Sequence, residues 1–164
     1  MNSLHRDQRY KSYMGVLTSE IKDFVSKAKL GFIATVCPDN TPNLSPKGTT
    51  IVWDEDHLAF ADIHSPGTVQ NLLTNPAIEV NIVDVFLRRG YRFKGTAKIF
   101  SKGEIFDQVI ASYGEAASKY KINNIVLIKV DRVIPITSPI YDTGLTEEEI
   151  KNMYIDYWRS VYPK

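Results

Sequence analysis

Asn43-Leu44-Ser45-Pro46-Lys47-Gly48-Thr49-Thr50, taken with Ser65-Pro66-Gly67-Thr68 and the Asn71-Leu72 and Asn75-Pro76 pairs beyond it, decides how this chain is read. The first stretch opens an extended run over residues 43–53. The second starts what reads as a helix over residues 67–74, with Ser65 as a good N-cap, Pro66 suited to the first helical position and Asn75-Pro76 as the stop. A fixed cation, hydroxyls, a close main-chain approach and a helix N-terminus with unbonded amides are what hold a phosphate, and these segments supply all of them. Each motif alone is common, since Ser-Pro also serves as a plain helix start and most strand lysines are solvated. The order carries the signal.

Outward from this pair, residues 30–36 read as a strand joined to residues 43–53 by the turn Pro38-Asp39-Asn40-Thr41-Pro42. Before them, Thr18 or Ser19 can cap a helix with Ile21, Phe24, Val25 and Ala28 on one face. Strands follow over residues 57–62, 77–85 and 91–100; in the last, Phe93, Gly95, Ala97 and Ile99 alternate with Arg92, Lys94, Thr96 and Lys98. Residues 102–120 read as a helix broken near Gly114, residues 124–136 as a sixth strand, and Pro135, Pro139 and Gly144 as an extended exit. Thr146 with Glu149 forms a capping box and Leu145 with Ile150 a hydrophobic staple, which start a helix over residues 146–161 with the stripe Ile150, Met153, Tyr154, Tyr157, Trp158 and Val161. Six strands joined by tight turns predict a mainly β, α+β fold: a six-stranded antiparallel barrel in one domain, residues 1–164, with an N-terminal and a C-terminal helix.

Composition narrows the function classes. The 164 residues carry 20 Lys and Arg against 19 Asp and Glu, a net charge of +1, so no global field draws the chain to nucleic acid or an anionic membrane. Residues 1–13 lack the apolar core of a secretory signal, and the longest apolar stretches fall short of the roughly 20 residues that span a bilayer, so the expected location is the cytoplasm. Cys37 is the single cysteine, which excludes an internal disulfide and a paired-thiolate site; it reads as a small buried apolar residue. His5, His57 and His64 share no metal-ligand spacing, so no metal site is expected. A dinucleotide glycine fingerprint, a P-loop and internal repeats are all missing from the sequence.

The succession of Ser-Pro-Lys-Gly, strand, Ser/Thr loop, Asn-Leu, Asn-Pro, strand and Gly90-Tyr91-Arg92-Phe93-Lys94-Gly95 resembles the pyridoxamine 5'-phosphate oxidase-related FMN-binding split-barrel proteins. The tail Ser138-Pro139-Ile140-Tyr141-Asp142-Thr143-Gly144 with Thr146-Glu147-Glu148-Glu149 is similar to a subgroup described as predicted flavin-nucleotide-binding proteins. The resemblance implies FMN as cofactor and a homodimer of split barrels with two sites at the subunit interface. It implies FMN contacts from Ser45, Lys47, Gly48 and Thr49 on the second strand, from Ala61 and Asp62 at the end of the third, and from Ser65, Thr68 and Asn71 in the phosphate turn. One departure stands out: Gly67 replaces the basic residue that commonly precedes the threonine, so Lys47, or Arg88 or Arg89 from a neighbouring loop, has to balance more phosphate charge.

The implied activity is an FMN-dependent oxidoreductase acting on a small molecule, with NAD(P)H as a possible reductant; the alternative is a flavin carrier or sensor without turnover. No catalytic residue is assigned, because no side chain reads as a convincing general base. Oxidation of pyridoxamine phosphate itself is disfavoured, since Trp158-Arg159 is a poor match for the family enzyme's C-terminal segment. Haem binding ranks last for want of an obvious histidine ligand. The aromatic stripe of the last helix reads as packing, between subunits in a dimer.

Overall fold

In the computed structural model, which describes residues 15–163, Thr18 rather than Ser19 caps helix α1 (Ser19–Ala28), its hydroxyl accepting from the Ile21 N–H at 3.4 Å. The reading of residues 1–13 and His5 lie outside the described residues. Helix α1 buries Ile21 and Val25 and ends at Lys29, whose left-handed backbone (φ 56°) lets its N–H reach the Val25 carbonyl at 3.0 Å.

The strands are β1 (Gly31–Val36), β2 (Pro42–Lys47), β3 (Ile51–Val52), β4 (His57–Asp62), β5 (Ala77–Asp84), β6 (Arg89–Phe100) and β7 (Asn124–Thr137). All pair antiparallel in one sheet, in the order β2-β1-β5-β6-β7-β4-β3. Helix α2 (Pro66–Thr74) joins β4 to β5, while α3 (Glu104–Ser112) and a 3-10 turn over Gly114–Lys119 join β6 to β7. The chain leaves through a second 3-10 turn, Pro139–Thr143, into α4 (Glu147–Val161).

Seven strands stand where six were predicted, because the run 43–53 is two strands separated by a turn. Thr50 makes that turn: its hydroxyl donates to the Lys47 carbonyl at 2.8 Å. Thr49 and Thr50 are residue types that strands favour, so nothing in the composition marks the break. Its consequence is large, since β2 and β3 are the two outer strands of the sheet yet are linked only by Gly48, Thr49 and Thr50. Three linking residues span at most about 14 Å, so the sheet curls until its edges almost meet. The result is a half-barrel whose seam is crossed by the chain itself rather than closed by a strand ladder between β2 and β3.

The predicted extended exit is also corrected. Pro135 lies within β7, opposite Tyr91, and Pro139 opens a 3-10 turn with Ser138 as cap. Broken helix 102–120 resolves into α3 and the 3-10 turn, which meet at Gly114 in a left-handed conformation (φ 57°).

The inner face of the curl holds the main core, with Ile33, Leu58, Phe60, Val80, Ile82, Phe93, Val126 and Ile128 buried and α1 contributing Ile21 and Val25. A second cluster lies on the other face of β4 and β7, where α3 covers Ala59, Ala61 and Ile125 with Val109. Strand β4 is therefore buried on both sides, which holds the chain on one flank of the seam firmly in place. The predicted alternation of β6 holds, with Phe93 and Ala97 buried and Lys94 and Lys98 exposed. It is interrupted by a bulge: Lys94 pairs with Arg132 but Gly95 with Val130. Glycine is required there, because a β-carbon at Gly95 would fall 2.1 Å from the Lys129 carbonyl oxygen.

Candidate functional site

The link across the seam forms one wall of a cleft of about 290 Å³, lined by Ser45, Pro46, Lys47, Gly48 and Thr49 on one side and by Ala61, Ile63, His64 and Ser65 on the other. Six of the sequence-predicted residues thus come together: Ser45, Lys47, Gly48, Thr49, Ala61 and Ser65. The three others do not line it. Asp62 is buried just behind, while Thr68 and Asn71 are buried on α2. The Asn71 amide donates to the Thr35 hydroxyl at 3.0 Å and contacts the Cys37 sulfur at 3.5 Å, which fastens α2 to β1. Cys37 itself is half-buried just beyond that strand.

Lys47 defines the electrostatics. It is only 6% exposed, and its ammonium donates to the Ser45 hydroxyl and, at 3.5 Å, to the Pro46 carbonyl. No ion pair to Lys47 forms among the described residues. Burial lowers its pKa from the ordinary lysine value, and the nearby Asp62 charge opposes that shift. A buried cation with donor capacity left over is electrostatically incomplete, and an anion completes it.

The other wall adds amides. Ser65 is the N-cap of α2, but its side chain makes no capping bond, and Pro66 occupies the first turn. The first helical bond runs from the Val69 N–H to the Ser65 carbonyl at 3.2 Å, and the Gly67 and Thr68 N–H groups find no partner among the described residues. A side chain at Gly67 would meet nothing within 4 Å, and the same holds at Gly48, so both walls leave the main chain open to a ligand.

Three positioning elements escaped the sequence reading. The Tyr113 hydroxyl donates to the Thr49 carbonyl at 2.7 Å, and burial pushes its pKa far above the ordinary tyrosine value. Asn124 donates from its amide to Asp62 Oδ2 at 2.9 Å, and the Asn123 amide donates to the Ile63 carbonyl at 3.1 Å. Asp62 Oδ1 accepts from the Ser65 N–H at 2.9 Å. An Asn-Asn pair at a strand start has the composition of an ordinary turn, so it carried no signal that it grips a loop 60 residues earlier.

Arg88 and Arg89, considered as substitutes for the missing cation, are engaged elsewhere in the protomer. The Arg88 guanidinium lies 4.7 Å from the centre of the Tyr154 ring, and Arg89 pairs with Glu147 at 2.9 Å, both on α4. That helix has the predicted capping box and buries Ile150, but Met153 and Tyr157 are 43% and 55% exposed. His57 is held by Asp54 at 2.8 Å. Among the described residues no three of His, Cys, Asp and Glu gather as a metal site requires, and no helix is long and apolar enough to cross a membrane.

A larger depression of about 500 Å³ lies on β1, β5 and β6 around Ala34, Glu79 and Lys94. Its lysine is already neutralised by Glu79 at 3.0 Å, which also holds Arg92 at 2.9 Å, so it offers no spare cation.

Comparison with known proteins agrees with this architecture. HupZ from Group A Streptococcus is 29% identical over 74% of this chain and 94% of its own, with a TM-score of 0.66. An FMN-binding protein from Syntrophomonas wolfei is 14% identical over 81% of this chain and 95% of its own, with a TM-score of 0.65. HutZ from Vibrio cholerae, described as a heme storage protein, is 21% identical over 72% of this chain and 93% of its own, at a TM-score of 0.58. The last two establish a shared fold alone. No curated protein sequence matches. The model of the pyridoxamine 5'-phosphate oxidase family matches residues 17–134, which include both walls of the seam cleft, and the chain belongs to that family, with its FMN-binding split-barrel fold.

Proposed function

We propose that the seam cleft binds the phosphate of FMN and that the protein is a flavin-dependent oxidoreductase of the cytoplasm, working as a homodimer with its sites at the subunit interface. The observation that carries this reading is the pairing of a buried lysine, without a carboxylate partner among the described residues, with an uncapped helix N-terminus across one small cleft. Lys47, Ser45 and Ser65 would hold the phosphate, with the Gly67 and Thr68 amides completing the cradle. Gly48 and the Thr49 and Ala61 main chain would border the rest of the cofactor. Bound flavin supplies hydride or electron transfer; the chain supplies orientation and charge.

Exposed apolar side chains on α4, Met153, Tyr157 and Val161, support a second copy as partner. NAD(P)H is the natural candidate reductant. Oxidation of pyridoxamine phosphate remains disfavoured, since Arg159 on α4 is largely exposed and pairs with Asp156 at 3.2 Å. The carrier or sensor alternative stands beside the enzyme, because among the described residues Lys47 and His64 are the only titratable side chains lining the cleft.

Haem is a second reading, favoured by one observation: His64 lines the cleft and can offer an axial nitrogen. One set of spectra separates all three. FMN binding gives flavin bands and a Kd far below that of riboflavin, and anaerobic NADH or NADPH bleaches those bands only in an enzyme. A Soret band that shifts in His64→Ala would replace the flavin reading with haem, and equal affinity for riboflavin would remove the phosphate clamp.

A further inference from the structure

We propose that Asn124 is a positioning residue: set opposite Asp62, it holds that carboxylate away from Lys47 and so leaves the lysine ammonium free for an external anion. The proposal rests on the reading of the cleft as an anion site. It concerns three residues that the fold brings together from β2, β4 and β7.

Asp62 and Asn124 are cross-strand partners in the β4–β7 ladder, where facing side chains are within contact range. The Asn124 amide takes Oδ2 at 2.9 Å and the Ser65 N–H takes Oδ1 at 2.9 Å, so both carboxylate oxygens are engaged. The backbone is fixed beside them, the Asn123 N–H donating to the Asp62 carbonyl at 2.9 Å and the Asn123 side chain to the Ile63 carbonyl at 3.1 Å. Asp62 is 3% exposed, and its charge is close enough to favour the charged form of Lys47. Two opposite charges this near attract, although the pull of Asp62 on Lys47 is weaker than the effect of burial, and a lysine stem is flexible enough to close the gap. They nevertheless form no ion pair.

The two donors on Asp62 account for that. They satisfy the carboxylate in place, so Lys47 turns to the Ser45 hydroxyl instead and keeps donor capacity toward the cleft. With the Asn124 amide removed, Oδ2 becomes a bare buried acceptor, and Lys47 is the nearby cation able to satisfy it. The resulting Lys47–Asp62 pair would compete directly with a phosphate. Asn124 thereby acts on ligand affinity without touching the ligand.

The test is a cycle in the full-length protein of Asn124→Ala, Asp62→Asn and the double variant. The readouts are the Lys47 pKa, from NMR of carbon-13-labelled lysine in the absence of ligand, and the FMN Kd, from calorimetry. Asn124→Ala is expected to raise the Lys47 pKa and to weaken FMN at least about tenfold, the loss of one charge-assisted contact. In the Asp62→Asn background the same Asn124 change is expected to alter FMN affinity less than about threefold, because the competing carboxylate is gone. A Lys47 pKa that does not rise in Asn124→Ala overturns the proposal, as does an undiminished effect of Asn124→Ala when Asp62 is already Asn. If Asn124→Ala fails to fold, Asn124→Val, which suits a strand and has no donor, carries the same comparison. If the unaltered protein binds no FMN, the cofactor reading falls while the Lys47 titration still decides the role of Asn124.

Discussion

The Thr49 hydroxyl donates to the Ala61 carbonyl at 3.2 Å and accepts from the Ala61 N–H at 3.0 Å, so one side chain meets both polar groups of one residue across the seam. It continues the β3–β4 register, in which Ile51 faces Ala59 and Val52 faces Leu58, into the link that joins β2 to β3. The two walls of the cleft are joined there, and the spacing between Lys47 and the N-terminus of α2 depends on it.

Lys47→Ala is expected to weaken FMN by about 1.5 to 3 kcal/mol, the range for hydrogen bonds to charged groups. Calorimetry on the apo-protein reads this directly. A change below about 0.5 kcal/mol would mean that the lysine is only a buried strand residue.

Gly67→Arg returns a cation to the turn. The position faces open space and needs no left-handed backbone, so the fold accepts the side chain. FMN affinity is expected to rise by about 1 kcal/mol, roughly fivefold, and the gain to shrink as salt is added. Fluorescence titrations at two ionic strengths check both parts; an unchanged Kd would place the phosphate away from α2.

Tyr113→Phe removes the donor to the Thr49 carbonyl and is expected to cost about 1 kcal/mol of stability. Burial raises the folded pKa of Tyr113 above the ordinary value near 10. Its protonated form is therefore favoured by folding, and that stabilisation is complete below pH 10 and lost progressively as pH rises above it. Denaturant melts of both proteins at pH 8 and pH 11 are expected to show a gap at the lower pH that narrows at the higher. A gap independent of pH would show that ionisation of this hydroxyl is not linked to folding.

Light scattering at micromolar concentration is expected to give twice the 18.6 kDa of one chain. Tyr157→Glu, on the exposed face of α4, is expected to shift the mass toward the monomer and to weaken FMN in parallel. A monomer that binds FMN fully would place the whole site within one chain.

Much of the fold was legible because it is written in short-range signals. The β1–β2 hairpin follows from Pro38 to Pro42, the burial of β6 from its alternation, and α4 from Thr146 and Glu149. Strand pairing is not written that way. That residues 48–50 carry the chain from one outer strand to the other depends on the order of the whole sheet, so 43–53 read as one strand. The site divides similarly. Ser45, Lys47 and Ser65 were visible as types within ordered motifs, whereas Tyr113, Asn123 and Asn124 act on the backbone or on Asp62 from far along the chain. Asn71 was visible too, but a polar helix residue looks the same facing a cleft or gripping Thr35.

The covalent seam also orders events in time. Hairpins β1–β2, β3–β4 and β5–β6 join neighbours in the chain, but β4 finds its partner in β7 across as many as 72 residues, from His57 to Lys129, a slow closure. Until that happens Asp62 lacks Asn124 and the Ile63 carbonyl lacks Asn123, so the wall of the cleft beyond Ala61 is not held in place. A ligand of the cleft therefore recognises only the finished fold: it leaves the refolding rate untouched and slows unfolding alone, so that its presence lengthens the life of the native protein without hastening its birth.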